Sequence, residues 1–310
     1  MTNNYESKNL LKIINKIDPS NKMAILIGSG FAENIFKDSL IFKRENFGND
    51  FQTISKTKSE FFFKELKKNK ILHPTVSNSK PKNGKWLIKG YRSFGGEKVK
   101  FLKKSKIFKK SYFQKFIKGE PISVQFFVKN NKVNILSICD QIKTDSEKGC
   151  FLEKSLITKK VTKEFFNKIF LLTLKISRIF SLNGINSLDL IEKNQKLFLL
   201  EVNPRPGLSC RIINLIGKKF AKTLVQPNEY FYYSSTIIYA KKKIFIDKNK
   251  YFFLKKISLS NVFSELPSYG DMIKVDEPLC LLHLKSKSKK FLKKKIEEKE
   301  SEFLEKIENI

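Results

Sequence analysis

The sequence predicts an α/β protein, and three observations lead there. An apolar stretch at residues 23–27 runs into Gly28-Ser29-Gly30, and a glycine turn after a buried strand is a feature of doubly wound sheets. A second, ending in Leu197-Phe198-Leu199-Leu200, runs straight into Glu201-Val202-Asn203-Pro204-Arg205-Pro206-Gly207. Strand ends where apolar sequence gives way to charge are where α/β proteins place active sites. Between the two, Phe165, Ile169, Leu172, Ile176 and Phe180 recur at helical spacing within Thr162–Ser181, a stripe that reads as core.

A chain of 310 residues is long enough for a large core in two or three lobes. Three regions are expected. Residues 1–75 hold a helix-like start at Leu10–Ile17, the strand at 23–27 and a helix over Ser55–Lys70. Residues 76–230 hold the chemistry-bearing motifs. Residues 231–310 hold strands followed by a helix, Ser288–Ile310, whose mixed-sign charges suit a solvated face.

The net charge of +32 would ordinarily suggest nucleic acid. Here it is spread along the whole chain and is almost all lysine, with only five arginines, whereas base readout leans on arginine. With the abundance of Asn, Ile and Phe, this reads as drift toward AT-rich codons, so no specific nucleic-acid partner is expected. A general positive field would still attract phosphates and acidic substrates. The four cysteines, 139, 150, 210 and 280, form no C-x-x-C pair and read as buried hydrophobes, with only Cys210 near the Pro-Arg-Pro-Gly run. His73 and His283 read as structural. No run of about 20 apolar residues suggests a membrane span and the N-terminus lacks a signal-peptide core, so the expected location is the cytoplasm, with no membrane partner.

The most informative segment is a hairpin. Gly184–Ile191 is apolar but for Asn186, Ser187 and one acid, Asp189, and a polar stretch, Glu192–Lys196, joins it to Leu197–Asn203; this reads as a hairpin with a longer loop. Setting Asp189 opposite Glu201 puts Leu188 opposite Val202 and Leu190 opposite Leu200. One face is then apolar and the other holds Asp189, Glu201 and Asn203. Slipping by one residue would drive a charge into the core layer. Three oxygen donors on one face suit a hard cation, and the arginine just beyond suits a phosphate or carboxylate. The plainer alternative for Asp189 alone is a solvated acid on an outer face.

Two upstream segments bear on this. Trp86-Leu87-Ile88-Lys89 is a short strand ending in a lysine, followed by Gly90, Ser93, Gly95 and Gly96. Such a loop can turn N–H groups toward a phosphate, with the lysine as a point charge; by itself it is equally a glycine-rich turn. Ser111–Val128 reads as strand, short polar joint, strand.

In that order, these motifs resemble the ATP-grasp superfamily. Asp189 followed by Leu199-Leu200-Glu201-Val202-Asn203-Pro204-Arg205-Pro206-Gly207 is similar to its metal-binding hairpin. The resemblance implies an ATP-grasp fold of two α+β lobes, with a partial Rossmann-like N-terminal region and a small β-rich C-terminal region ending in a helix. It implies Mg²⁺, or Mn²⁺, on Asp189, Glu201 and Asn203, and ATP phosphates held by Lys89, Ser93, Gly95 and Gly96. It further implies adenine on backbone groups near Gln114, Phe116 and Ile117, ribose on Glu120, and Arg205 as the catalytic group facing the transferring phosphate. Ser209 or Arg211 could touch the substrate. The family more often has Lys-Pro where this sequence has Lys89-Gly90, and Pro121 disturbs the usual spacing after Glu120.

Ile25–Gly30, Phe47-Gly48-Asn49 and Leu266–Cys280 resemble a subgroup of carboligase-like members, some associated with tetrahydromethanopterin-linked one-carbon metabolism; the match spans roughly 24 to 285. The activity implied is that of a Mg-ATP-dependent carboxylate–amine ligase, which activates a small-molecule carboxylate as an acyl phosphate for attack by an amine or other nucleophile. The alternative is a non-catalytic ATP-binding or basic polyanion-binding protein. It is favoured by a front region that holds only the last part of a Rossmann-like domain. It is disfavoured by three oxygen donors kept on one face.

Overall fold

The computed structural model of the chain describes residues 7–26, 28, 45–91, 95–96, 98–102, 110–144, 151–216 and 231–310. In chain order the described elements begin with helices α1 (Ser7–Ile17), α2 (Phe51–Thr57) and α3 (Glu60–Lys68). Strands β1 (Val76–Ser77), β2 (Trp86–Gly90), β3 (Val99–Phe101), β4 (Ser111–Lys115), β5 (Glu120–Lys129), β6 (Lys132–Lys143) and β7 (Glu153–Thr158) follow. Next come α4 (Lys163–Ile179), β8 (Gly184–Lys193), β9 (Lys196–Asn203) and α5 (Ser209–Ile216). The last are β10 (Tyr232–Tyr239), β11 (Ile244–Phe245), α6 (Lys248–Ser258), β12 (Phe263–Ser264), β13 (Met272–Ile273), β14 (Pro278–Ser286) and α7 (Lys289–Asn309). They fall into two compact units, Met1–Leu136 with Lys163–Gly207, and Ser137–Thr162 with Leu208–Ile310.

The first unit contains a small antiparallel sheet in the order β1-β4-β2-β3 and the antiparallel run β5-β8-β9. In that run Val124, Leu188 and Val202 stand opposite one another, as do Ile122, Leu190 and Leu199. All six side chains are fully buried, each contributing about 1.5–3 kcal/mol of transfer free energy. Helix α4 packs on β5 and buries Ile169, Ile176 and Phe180; Phe165 and Leu172 of the expected stripe are only half-buried.

The register of the hairpin departs from expectation in two places, each with a local cause. Asn194 and Gln195 both have positive φ, 50° and 61°, so the strands close through a two-residue turn rather than a longer loop. A bulge between Asp189 and Leu190 sets Leu190 opposite Leu199, not Leu200. The bulge absorbs one extra residue. It lets Leu199 and Val202 both stay buried while Leu200 and Glu201 remain half-exposed.

The expected helix over Ser55–Lys70 is two helices. Asp50 caps α2, its Oδ1 accepting from Thr53 N at 2.7 Å. The chain then leaves helical geometry at Lys58 (φ −113°, ψ 27°) before α3 begins. At this break Lys58 turns its ammonium to Asn203 and Glu201. Ahead of α2, Ile25 forms a parallel bridge with Asn46; Ser29 and Gly30 of the expected glycine turn lie outside the described residues.

Asn49 fastens this front segment to the hairpin. Its Nδ2 donates to Asn186 Oδ1 at 2.7 Å and to the Pro204 carbonyl at 2.9 Å, and its Oδ1 accepts from Asn183 N at 2.8 Å. Gly184 makes the approach possible: its φ is +66°, and a Cβ there would lie 2.3 Å from the Phe47 carbonyl oxygen.

In the second unit β7, β10, β14 and β12 are antiparallel neighbours, with the end of β6 beside β7. Ile238, Leu282, Leu284, Leu254, Leu292 and Phe303 are among its core residues. Helix α7 starts where Ser288 Oγ accepts from Phe291 N at 3.3 Å and turns an apolar face to β14; most of its charges lie outside, while Glu300 and Glu308 are largely buried. Cys139 and Cys280 are buried, and burial pushes the Cys139 thiol up to about 12 and the Cys280 thiol up as well. Cys210 is half-buried, and Cys150 lies outside the described residues. Among the described residues no helix is long and apolar enough to cross a membrane.

Candidate functional site

The hairpin brings three of the expected donors together. Asp189 stands opposite Glu201, and Ser187 opposite Asn203. Opposed residues share a face of the sheet, so the carboxylates and the amide lie on the same side. Asn203 Nδ2 donates to Asp189 Oδ2 at 3.2 Å and lies 3.5 Å from Glu201 Oε1.

Strand β5 extends this polar face by one more strand. Ser123 stands opposite Asp189 and Gln125 opposite Ser187, and Ser123, Gln125 and Ser187 are all buried. Sequence reasoning missed them, although a signal was present: Ile122, Val124 and Phe126 alternate with Ser123 and Gln125 at the period of a strand.

Lys58 is a further residue it missed. Its Nζ donates to Asn203 Oδ1 at 2.7 Å and lies 3.7 Å from Glu201 Oε2. Only 8% of the residue is exposed. An ammonium is costly to bury unless paired, so the carboxylate-rich face is what draws Lys58 inward and interrupts the helix. No local pattern marks it in a chain where lysine is the usual charge.

The small sheet contributes from β2 and β4. Lys89 stands opposite Tyr112, and Leu87 opposite Gln114, so Lys89, Tyr112 and Gln114 share a face. Lys58, Lys89, Tyr91, Tyr112 and Glu201 line one cavity of about 30 Å³, so the strand lysine and the hairpin acid border the same space. Burial, then the negative charge of Glu201, pushes the Tyr112 phenol upward. Burial, then Glu60 and Tyr112, raises Tyr91 to about 12. Both phenols stay protonated at neutral pH and can donate.

The glycine loop is described only in part. Gly90 N donates to the Lys98 carbonyl at 3.0 Å and Val99 N to the Gly96 carbonyl at 3.1 Å. Gly95 and Gly96 both have positive φ, 62° and 83°. Ser93 lies outside the described residues. On the joint between β4 and β5, Gln114 is buried, and its Oε1 has no hydrogen-bond partner among the described residues. The Phe116 N–H donates to the Lys85 carbonyl at 2.9 Å; Ile117 is half-buried.

Glu120 stands apart from the cluster, and Arg205 is buried just beyond the end of β9. Glu120 is exposed and opposite Glu192, three residues along β5 from the position facing Asp189, or about 10 Å. Arg205 is 9% exposed, with Nη1 3.4 Å from the Pro206 carbonyl. Arg211 belongs to the second unit, where its guanidinium pairs with Glu265 at 2.6 Å. Among the described residues no three His, Cys, Asp or Glu side chains are grouped as metal ligands, so a cation on this face would need Asn203 as its third donor.

Residues 56–209 match the model of a known family, described as the ATP-grasp domain. No curated protein matches the chain. Among solved structures, the L-amino acid ligase of Bacillus licheniformis is 13% identical, over 97% of this chain and 82% of that one, with a TM-score of 0.63. The biotin carboxylase domain of the Hydrogenobacter thermophilus 2-oxoglutarate carboxylase is 14% identical, over 90% and 73%, with a TM-score of 0.64. Phosphoribosylglycinamide synthetase from Anaerococcus prevotii is 14% identical, over 81% and 74%, at 0.56. At such identities the likeness speaks for fold alone. Together with the family match, it establishes that the chain adopts the ATP-grasp fold and carries an ATP-grasp domain at residues 56–209.

Proposed function

We propose that the protein is a Mg-ATP-dependent ligase that activates a small-molecule carboxylate as an acyl phosphate, which an amine or other nucleophile then attacks. The observation that carries this reading is that Lys89 borders the same cavity as Glu201, whose strand face also holds Asp189 and Asn203. The donor set suits Mg²⁺: two carboxylates and an amide oxygen are hard ligands, and the buried Lys58 ammonium shows that the face accepts positive charge. Gln114 Oε1, buried and unpartnered among the described residues, suits the amino group of an adenine. The N–H of Phe116 is committed to Lys85, so Phe116 would meet a base through its carbonyl.

In this reading bound Mg·ATP supplies the phosphoryl group and the metal charge that neutralises it. The chain supplies position and field. Asp189, Glu201 and Asn203 hold the cation. Lys89 and the N–H groups at Ser93, Gly95 and Gly96 hold phosphate oxygens from the other side. Gln114, Phe116 and Ile117 orient the base and Glu120 the ribose. Arg205 offers a guanidinium to the oxygens of the transferring phosphate or the carboxylate.

The test is a screen of amino acids and small dicarboxylates for ADP formation, with hydroxylamine present to trap an acyl phosphate as the hydroxamate. Acid-dependent ADP release with trapped hydroxamate is the expected result. ATP binding by calorimetry without turnover for any acid would favour a non-catalytic ATP-binding protein. No ATP binding at millimolar nucleotide would remove the reading altogether. Lys89→Ala should weaken ATP binding by about 1.5–3 kcal/mol, the loss of one charge-assisted contact.

A further inference from the structure

On the second unit one face of the sheet turns polar. Ser235 of β10 stands opposite His283 of β14, and Tyr233 opposite Lys285; at the strand period all four share a face. Ser264 Oγ lies 2.7 Å from His283 Nε2. The other ring nitrogen, Nδ1, is buried and has no hydrogen-bond partner among the described residues, and the same holds for Ser235 Oγ. His283 is 7% exposed and Ser235 fully buried. Buried polar atoms are nearly always satisfied, so two such atoms on opposed residues mark a place that the hydrogen-bonding groups of a ligand would complete.

Tyr233, His283 and Ser264 line a groove of about 680 Å³, which Arg211, Lys285 and Lys295 also line. That is ample for a small ligand, whose sites run from about 300 to 1,000 Å³. No acidic side chain is among the described residues that line it; Glu265 stands beside it on Arg211. Lysines are everywhere in this chain and would carry no weight alone. Arg211 is one of only five arginines, and one of the chain's two histidines lines the groove. Burial first, and the Arg211 charge second, lower His283 below its usual value, against a smaller opposing effect of Glu265. The ring is therefore neutral at neutral pH and can both donate and accept.

We propose that this groove binds a small organic anion that carries a hydroxyl or amino group beside its carboxylate. The carboxylate meets Arg211 and the lysines. The hydroxyl or amino group meets the His283 and Ser264 floor. The inference does not depend on nucleotide binding, and its test is run without nucleotide.

The chain has two histidines, His73 and His283, so ring-proton NMR reads the groove directly once His283→Gln has assigned the signals. The full chain is titrated with L-malate, L-aspartate, acetate and inorganic phosphate. Malate or aspartate should move the His283 signals and leave those of His73 in place, with acetate at least about tenfold weaker. Arg211→Ala and Ser264→Ala should each weaken binding by about tenfold. No response of His283 to either hydroxy or amino acid in the millimolar range overturns the site. Equal responses to phosphate and acetate overturn the ligand class, and equal movement at His73 shows only nonspecific ion association. The wild-type titrations decide the matter even if a variant fails to fold.

Discussion

Lys58 and Glu201 approach to 3.7 Å with side chains 6% and 31% exposed, and the lysine also donates to Asn203. Removing the ammonium would leave two carboxylates opposed across the hairpin and an amide oxygen without its donor. Lys58→Met should therefore destabilise the nucleotide-free protein by about 1–3 kcal/mol, read from urea unfolding; a variant as stable as the parent would mean that the contact is not formed in solution. Glu201→Gln removes a charge that repels Asp189 but also weakens the tie to Lys58. These effects oppose each other, so stability should change by no more than about 1 kcal/mol, while ADP formation with any active acid should be lost. A Glu201→Gln protein that keeps its turnover would remove Glu201 from the metal site. The acids of this cluster were legible in the sequence because strand alternation fixes which residues share a face. Lys58 was not, because its role depends on a contact 145 residues away and a lysine near a helix end usually points to water.

At the scale of elements, the β8–β9 hairpin and its attachment to the front segment decide where the donors sit. Its pairing of Asp189 with Glu201 follows from hydrophobic pattern alone, since a slipped register would bury the acid. The bulge at Leu200 and the two-residue turn do not follow, because each is set by local backbone geometry that Leu, Asn and Gln only weakly signal. The break between α2 and α3 was hidden for a related reason: Phe62, Phe63 and Leu66 continue a helical pattern across it. Gly184 is the most exacting position in this assembly. Alanine there would meet both the left-handed backbone, about 1–2 kcal/mol, and the Phe47 carbonyl oxygen at 2.3 Å. Gly184→Ala should lower stability by at least about 2 kcal/mol and, by displacing the Asn49 clamp, should weaken Mg²⁺-dependent nucleotide binding as well. Chemical denaturation with calorimetry checks both; loss of stability with unchanged binding would separate the clamp from the site.

At the scale of the whole molecule the question is what a net charge of +32 does. Part of the lysine excess is used within the fold. Asp140 takes both Lys159 and Lys289, Glu300 takes Lys154, and α7 carries the exposed pairs Lys294–Glu298 and Lys299–Glu302. Exposed pairs of this kind contribute little to stability, and most of the charge remains as a diffuse field. Such a field attracts any polyanion through counterion release, and that attraction falls steeply with salt. Base readout needs bidentate donors placed in a groove, and the chain has only five arginines. Binding to duplex DNA or to RNA should therefore be weak at physiological salt, steeply salt-dependent, and indifferent to sequence. Fluorescence anisotropy with two unrelated sequences across a salt series measures all three. Tight binding to one sequence that survives physiological salt would show a dedicated nucleic-acid surface, and the polyanion-binding alternative would then displace the ligase reading for this chain.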